Sequence, residues 1–133
     1  MRLYYRIKNF FVYGWDNFRV RCQRFKRGWS YRDVWGMRDW FMEVVKPVLI
    51  HLKDHHMGVP FEFENNPDGW KEVLQEMIDC LELMDEDNVY KKFDFLDDKR
   101  LTCEEYDLIA DTMELNKKRF FELFSKYFYD LWD

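Results

Sequence analysis

Apolar positions along this chain recur at intervals of three and four, not two. Leu3, Ile7, Phe11, Trp15, Phe18, Cys22 and Phe25 form the first such series, which predicts a helix over residues 3–27 with these side chains on one stripe. The basic residues of this segment fall mostly off the stripe, so the regular spacing predicts a core face with solvated cations around it. Tyr4, Tyr5, Phe10 and Tyr13 are left on other faces, where rings suit an interface. Gly14 allows a bend, and Gly28 ends the helix. Ser30-x-x-Asp33 is close to a capping box, in which the serine hydroxyl accepts from a first-turn amide. The second series, Val34, Met37, Phe41, Val44, Val45, Val48, Leu49 and Leu52, predicts a central helix over 31–56. Pro47 should kink it, because proline cannot donate to the carbonyl four residues back. Gly36 permits a second irregularity, with a short helical turn at 31–35 before the main helix. Gly58 as cap and Pro60 beyond it close the element.

After a loop at 58–66, Asn66-Pro67 reads as a cap followed by proline at the first helical position. Trp70, Val73, Leu74, Met77, Ile78, Leu81 and Met84 then share one face of a helix over 67–84. Asp85-Glu86-Asp87-Asn88 lacks the spacing of a calcium loop and reads as a solvated end. Residues 89–101, with Tyr90, Phe93, Phe95 and Leu96 among lysines and aspartates, allow a short helix. Thr102-x-x-Glu105 is a full capping box opening a last helix over 103–131, with a stripe of Tyr106, Ile109, Met113, Phe120, Phe124, Tyr127 and Leu131. The stripe weakens at Asn116-Lys117-Lys118, and the closing run of rings predicts a docked terminus. No run alternates long enough for a strand. The expectation is an all-α, single-domain helical bundle of about four main helices spanning 1–133, which a homodimer contact through surplus aromatics would complete.

Composition changes this picture in three ways. Aromatics make up 20% of the 133 residues, while five glycines and three prolines leave room for long helices. No apolar run approaches a membrane span and the N-terminus lacks the pattern of a signal peptide, so the expected location is the cytoplasm with no membrane partner. Cys22, Cys80 and Cys103 are odd in number, far apart and without a CxxC pair, which predicts reduced, buried thiols. Charge is the third change. Residues 1–32 hold nine Lys or Arg against Asp16 alone, a net +8, while residues 33–133 carry −13. A basic head on an acidic body suits either a polyanion partner or attraction between the two parts.

Candidate chemistry is sparse. His51 and His55 are four apart and share a helix face, but they lack the glutamate of HExxH and a third ligand of fixed spacing, so no metal is expected. Their place in a last turn is already favoured by the helix dipole. Glu104-Glu105 lie at a capped helix start, and nothing pairs a nucleophile with a base, so an enzyme is the least expected class and no cofactor is implied.

The string Arg27-Gly28-Trp29-Ser30, Asp33-x-Trp35, Trp40-Phe41, Lys46-Pro47, Leu52-Lys53, Gly58-x-Pro60, Trp70, Met77-Ile78 and the closing Phe120–Phe128 segment resembles a family of small uncharacterised proteins of tailed phages and prophages. Where that family pattern has an acidic residue three positions after the tryptophan, this chain has Arg38, followed by Asp39. The resemblance implies a phage origin, and the cytoplasm of the host bacterium as location, without an established activity. The leading expectation is a non-catalytic accessory protein that counteracts a bacterial defence by sequestering a nucleotide-like immune signal. Bases need aromatic faces and phosphates need cations, which nominates Arg27, Trp29, Arg32, Trp35, Arg38, His51 and His55 as ligand-binding residues. Core packing is the competing account of the tryptophans. A second class is an inhibitor of a host defence protein whose acidic surface imitates nucleic acid, and a third is a nucleic-acid binder using the basic N-terminal helix.

Overall fold

The computed structural model describes the backbone of residues 2–95 and 100–132, with side chains from Val12 onward. Among the described residues the chain is all-helical: α1 (Arg2–Arg27), α2 (Met37–His55), α3 (Pro67–Glu82), α4 (Glu86–Lys92) and α5 (Cys103–Lys126), with short 3-10 turns at Phe61–Phe63 and Phe128–Asp130. Leu96, assigned from sequence to the segment after α4, lies outside the described residues. The backbone falls into two compact units, Met1–Glu43 and Val44–Asp133. Their boundary lies inside α2, close to Pro47, whose missing amide leaves the Glu43 carbonyl without its usual helical donor. The helix assignment runs through Pro47 unbroken.

The first unit is α1, a return segment and the opening of α2. Gly28 ends α1 in the left-handed region at φ 79°, and its amide donates to the Arg24 carbonyl at 2.8 Å. A side chain there would meet its own backbone, which is why glycine takes the position. Gly58, expected to cap α2, lacks a positive φ and stands three residues past the helix end. Residues 31–36 form consecutive turns, and the long helix begins only at Met37, six residues later than the full sequence-predicted span.

The second unit is a small helical bundle. Its core is Leu49, Leu52, Trp70, Leu74, Met77, Ile78, Cys80, Leu81, Met84, Val89, Ile109, Phe120, Leu123 and Tyr127, drawn mostly from facing stripes of α3 and α5. Removing these surfaces from water is the main favourable term in folding such a unit. Trp70 sits at one end, its ring edge-on to Tyr127 at 5.3 Å and beside Phe63 at 5.8 Å. Arg119 of α5 holds Glu76 of α3 through two bonds of 2.6 and 3.2 Å, and Lys46 of α2 meets Glu82 of α3 at 2.7 Å. The capping box before α5 is complete: the Glu105 amide donates to the Thr102 hydroxyl at 3.2 Å and the Thr102 amide to the Glu105 carboxylate at 2.8 Å. Asn66 caps α3 by position, without a side-chain bond. Asp85 caps α4, so the acidic run at 85–88 opens a helix of its own. The last helix stops at Lys126, short of 131. Tyr127 is buried there, while Tyr129 and Trp132 remain exposed.

Several sequence-derived expectations fail on burial, and Val34, Met37, Val44 and Val48 of the second series are among the exposed residues. Trp15, Phe18 and Phe25 are 71%, 58% and 96% exposed, so the described part of the α1 stripe is no core face. Of the cysteines only Cys80 is buried, where loss of hydration pushes its thiol pKa up. Cys22 lies exposed on the α1 stripe, and Cys103 is exposed at the first position of α5.

A tryptophan-walled cleft in the first unit

α1 is docked through its polar side. Asp16, Val20, Gln23, Arg24 and Arg27 recur at helical spacing on the face opposite the aromatic stripe, and they hold the return segment. Val20 is 8% exposed, the one buried apolar contact of that face among the described residues. The rest is hydrogen bonding and charge. Arg24 grips Asp33 with Nε at 3.1 Å from one carboxylate oxygen and Nη2 at 2.5 Å from the other. The Ser30 amide and hydroxyl both donate to Asp33 Oδ2, at 2.6 and 2.8 Å. The capping-box expectation is therefore half met: the carboxylate reaches back to Ser30, but the serine hydroxyl donates to it instead of accepting from an amide. Ser30 and Asp33 are both buried, and the four donors, Arg24 foremost, hold the Asp33 carboxyl well below the usual carboxylate range. Paired in this way, a buried charge avoids most of its desolvation penalty.

This clasp shapes a cleft. Trp29, Val34, Met37 and Trp40 wall a space of about 310 Å³ with Asp33 at its edge. Trp40 Nε1 donates to the Gly28 carbonyl at 3.3 Å, which ties α2 to the end of α1. The Arg27 guanidinium stacks on the Trp29 ring at 3.8 Å from its centroid, and its Nε donates to the Trp29 carbonyl at 3.1 Å. The walls are apolar, the size is that of a small-ligand site, and a cation lies against one indole. Asp33 is a poor general base, because both of its oxygens are occupied and its pKa is lowered.

The sequence-nominated residues separate here. Trp29 lines the cleft, and Arg27, which does not, stacks on its ring. Arg32 turns to α1, pairing with Asp16 and donating to Asn17 Oδ1 at 2.9 Å, and Tyr31 also donates to Asp16. The Tyr31 and Arg32 bonds lower the Asp16 pKa, and Asp16 in turn raises that of Arg32. Arg38 pairs with its neighbour Asp39 at 2.8 Å. Trp35 is 91% exposed and does not line the cleft. His51 and His55 belong to the second unit, where their rings stack at 4.3 Å and His55 Nδ1 lies 3.1 Å from the His51 carbonyl. No group of three or more His, Cys, Asp or Glu able to hold a metal occurs among the described residues.

Sequence reasoning missed Val34, Met37 and Trp40 as cleft walls. They are spaced by three, a pattern that reads as core until the structure leaves Val34 and Met37 exposed at 65% and 68%. No family model, curated protein or solved structure matches the chain.

Proposed function

We propose that this is a non-catalytic accessory protein, of phage origin, that counteracts a bacterial defence by sequestering a nucleotide-like signal in the Trp29–Trp40 cleft. The observation that carries the reading is the pairing of indole walls with a stacked guanidinium: Trp29 and Trp40 wall one apolar space of about 310 Å³, and Arg27, outside its lining, stacks on the Trp29 ring. A base gains by stacking on an indole, and an arginine beside it retains donors for a phosphate. Of the nominated set this assigns the ligand to Arg27 and Trp29, supplemented by Met37 and Trp40. It releases Arg32 and Arg38, which are engaged with Asp16 and Asp39. The phage resemblance supports an infected bacterium as the setting, with the host cytoplasm as location, and the surplus of exposed rings supports a homo-oligomer as working form.

The test is calorimetric titration with a panel of mononucleotides and cyclic dinucleotides, against wild type, Trp40→Ala and Arg27→Ala. Saturable binding that weakens at least about fivefold in each variant is expected, since a stacked base is worth ~1–3 kcal/mol. Absence of heat with every nucleotide, in a protein whose helicity is intact, sinks the reading. A second reading has its own support: among the described residues Asp33 is the one polar residue lining the cleft, which suits an aromatic side chain of a host defence protein. Crosslinking from a photoreactive residue at Val34 to a host protein, with no nucleotide uptake, would favour it.

A further inference from the structure

α1 uses its polar face inward and leaves its aromatic face outward. Trp15, Phe18, Cys22 and Phe25 share the exposed stripe, and the rings of Trp15 and Phe18 lie 5.9 Å apart as one patch. In the sequence the stripe continues back through Phe11 and Ile7 to Leu3, a length of about 33 Å along the helix axis. Its borders are cationic. Lys26 falls on one side of the stripe and Arg21 on the other by helical position, while Arg19, next to Lys26's side, lies over the Tyr31 ring at 5.7 Å. Asp16, the only acid of α1, faces inward, where Tyr31 and Arg32 occupy it. Among the described residues the outward side of this helix therefore carries aromatic groups beside cations, and no acid.

We propose that this face is a docking surface for an anionic lipid bilayer, with α1 lying in the headgroup plane. The mean composition of α1 is too polar to span a membrane, and no helix among the described residues is long and apolar enough to do so. What it has is the division of an interfacial helix: rings to enter the acyl boundary and basic stems to reach back to phosphate. Charge complementarity selects the lipid. Residues 1–43 hold ten Lys or Arg against four acids, a net +6, and residues 44–133 carry −11, so attraction to an anionic surface resides in the first unit alone.

Two other occupants fit the face less well. Nucleic acid asks for cations at the centre of the contact, whereas here they form the rim of an apolar ridge. A second copy of α1 laid against the stripe would set like-charged rims side by side.

The test uses the full chain in sedimentation with vesicles of phosphatidylglycerol and phosphatidylethanolamine, and with pure phosphatidylcholine vesicles. Binding to the anionic vesicles alone is expected, falling as salt rises. Trp15→Glu/Phe18→Glu should abolish it, and Arg21→Glu should weaken it at least about fivefold. The altered side chains are exposed, so far-UV circular dichroism should be unchanged and separates lost docking from lost folding. Vesicle binding that is absent, or that survives Trp15→Glu/Phe18→Glu, overturns the proposal. So does a dimer, seen by sedimentation velocity, that the same double variant converts to monomer, and so does binding to a single-stranded oligonucleotide that it abolishes while vesicles are ignored. None of these outcomes depends on nucleotide binding in the cleft.

Discussion

Adding one methyl group at Gly14 and at Gly69 should move stability in opposite directions. Both glycines lie within helices, where alanine is favoured by about 0.8–1 kcal/mol through the backbone entropy it removes from the unfolded chain. At Gly14, in α1, a Cβ would find nothing within 4 Å, so that gain is expected in full. At Gly69, in the first turn of α3, the same Cβ would lie 2.9 Å from Asn66 Nδ2 and 3.0 and 3.2 Å from two carbons of the Phe63 ring. The Asn66 amide is the end of a movable side chain and can swing aside. The Phe63 ring cannot move so easily, because it stands between Trp70 and Tyr127, at 5.8 and 5.9 Å. Overpacking of this kind costs ~1–3 kcal/mol, which outweighs the propensity gain and leaves Gly69→Ala destabilising by up to about 2 kcal/mol. For a unit of this size each 1 kcal/mol shifts the midpoint by roughly 4–8 °C. Urea and thermal unfolding followed at 222 nm would measure both. Should Gly69→Ala prove as stabilising as Gly14→Ala, the tight seat of Phe63 against α3 is wrong, and with it the account of how the Trp70 end of the bundle is closed.

Other expectations follow from single contacts. Asp33 has a folded pKa below its ordinary value of 3.8, so as pH falls below about 4 the unfolded chain takes up a proton that the folded chain refuses, and stability is lost. Asp33→Asn should flatten that acid-side decline in melting temperature, though it is less stable at neutral pH; an unchanged slope would show that the clasp does not hold the carboxylate charged. Thr102→Ala removes the hydroxyl half of the α5 capping box and should cost ~0.5–2 kcal/mol in denaturant titration, an effect that Thr102→Ser should largely spare. Titration with a thiol-reactive disulfide should modify Cys22 and Cys103 quickly and Cys80 only after unfolding; rapid loss of all three thiols in the native protein would contradict the burial of Cys80.

Periodicity was enough to place the four long helices of this protein, though not the start of α2, the end of α5 or the opening of α4 at Asp85. Spacing of three and four, Pro67 at a helix start, Gly28 at a helix end and Thr102-x-x-Glu105 are local signals, and each reports on the few residues around it. The stripe of α3, and that of α5 apart from Tyr106, also foretold burial, since in the second unit each finds the other. For α1 the same kind of stripe foretold the wrong side. Periodicity identifies an apolar face, but whether that face is covered depends on which neighbour arrives, and here a buried carboxylate at Asp33 drew Arg24 and the polar side of the helix inward. The cleft has the same origin. Arg27 and Trp29 were legible as a cation beside an aromatic, but Trp40 joined them only because the turns at 31–36 return the chain to the end of α1. Arg32 and Arg38 looked free in the sequence because ion pairing is decided by chain geometry, as in the 16-residue separation that closes between Arg32 and Asp16. Local interactions within a turn or two of helix determined the elements; the tertiary structure alone decided which of their faces met, because those contacts join residues whose separation carries no period.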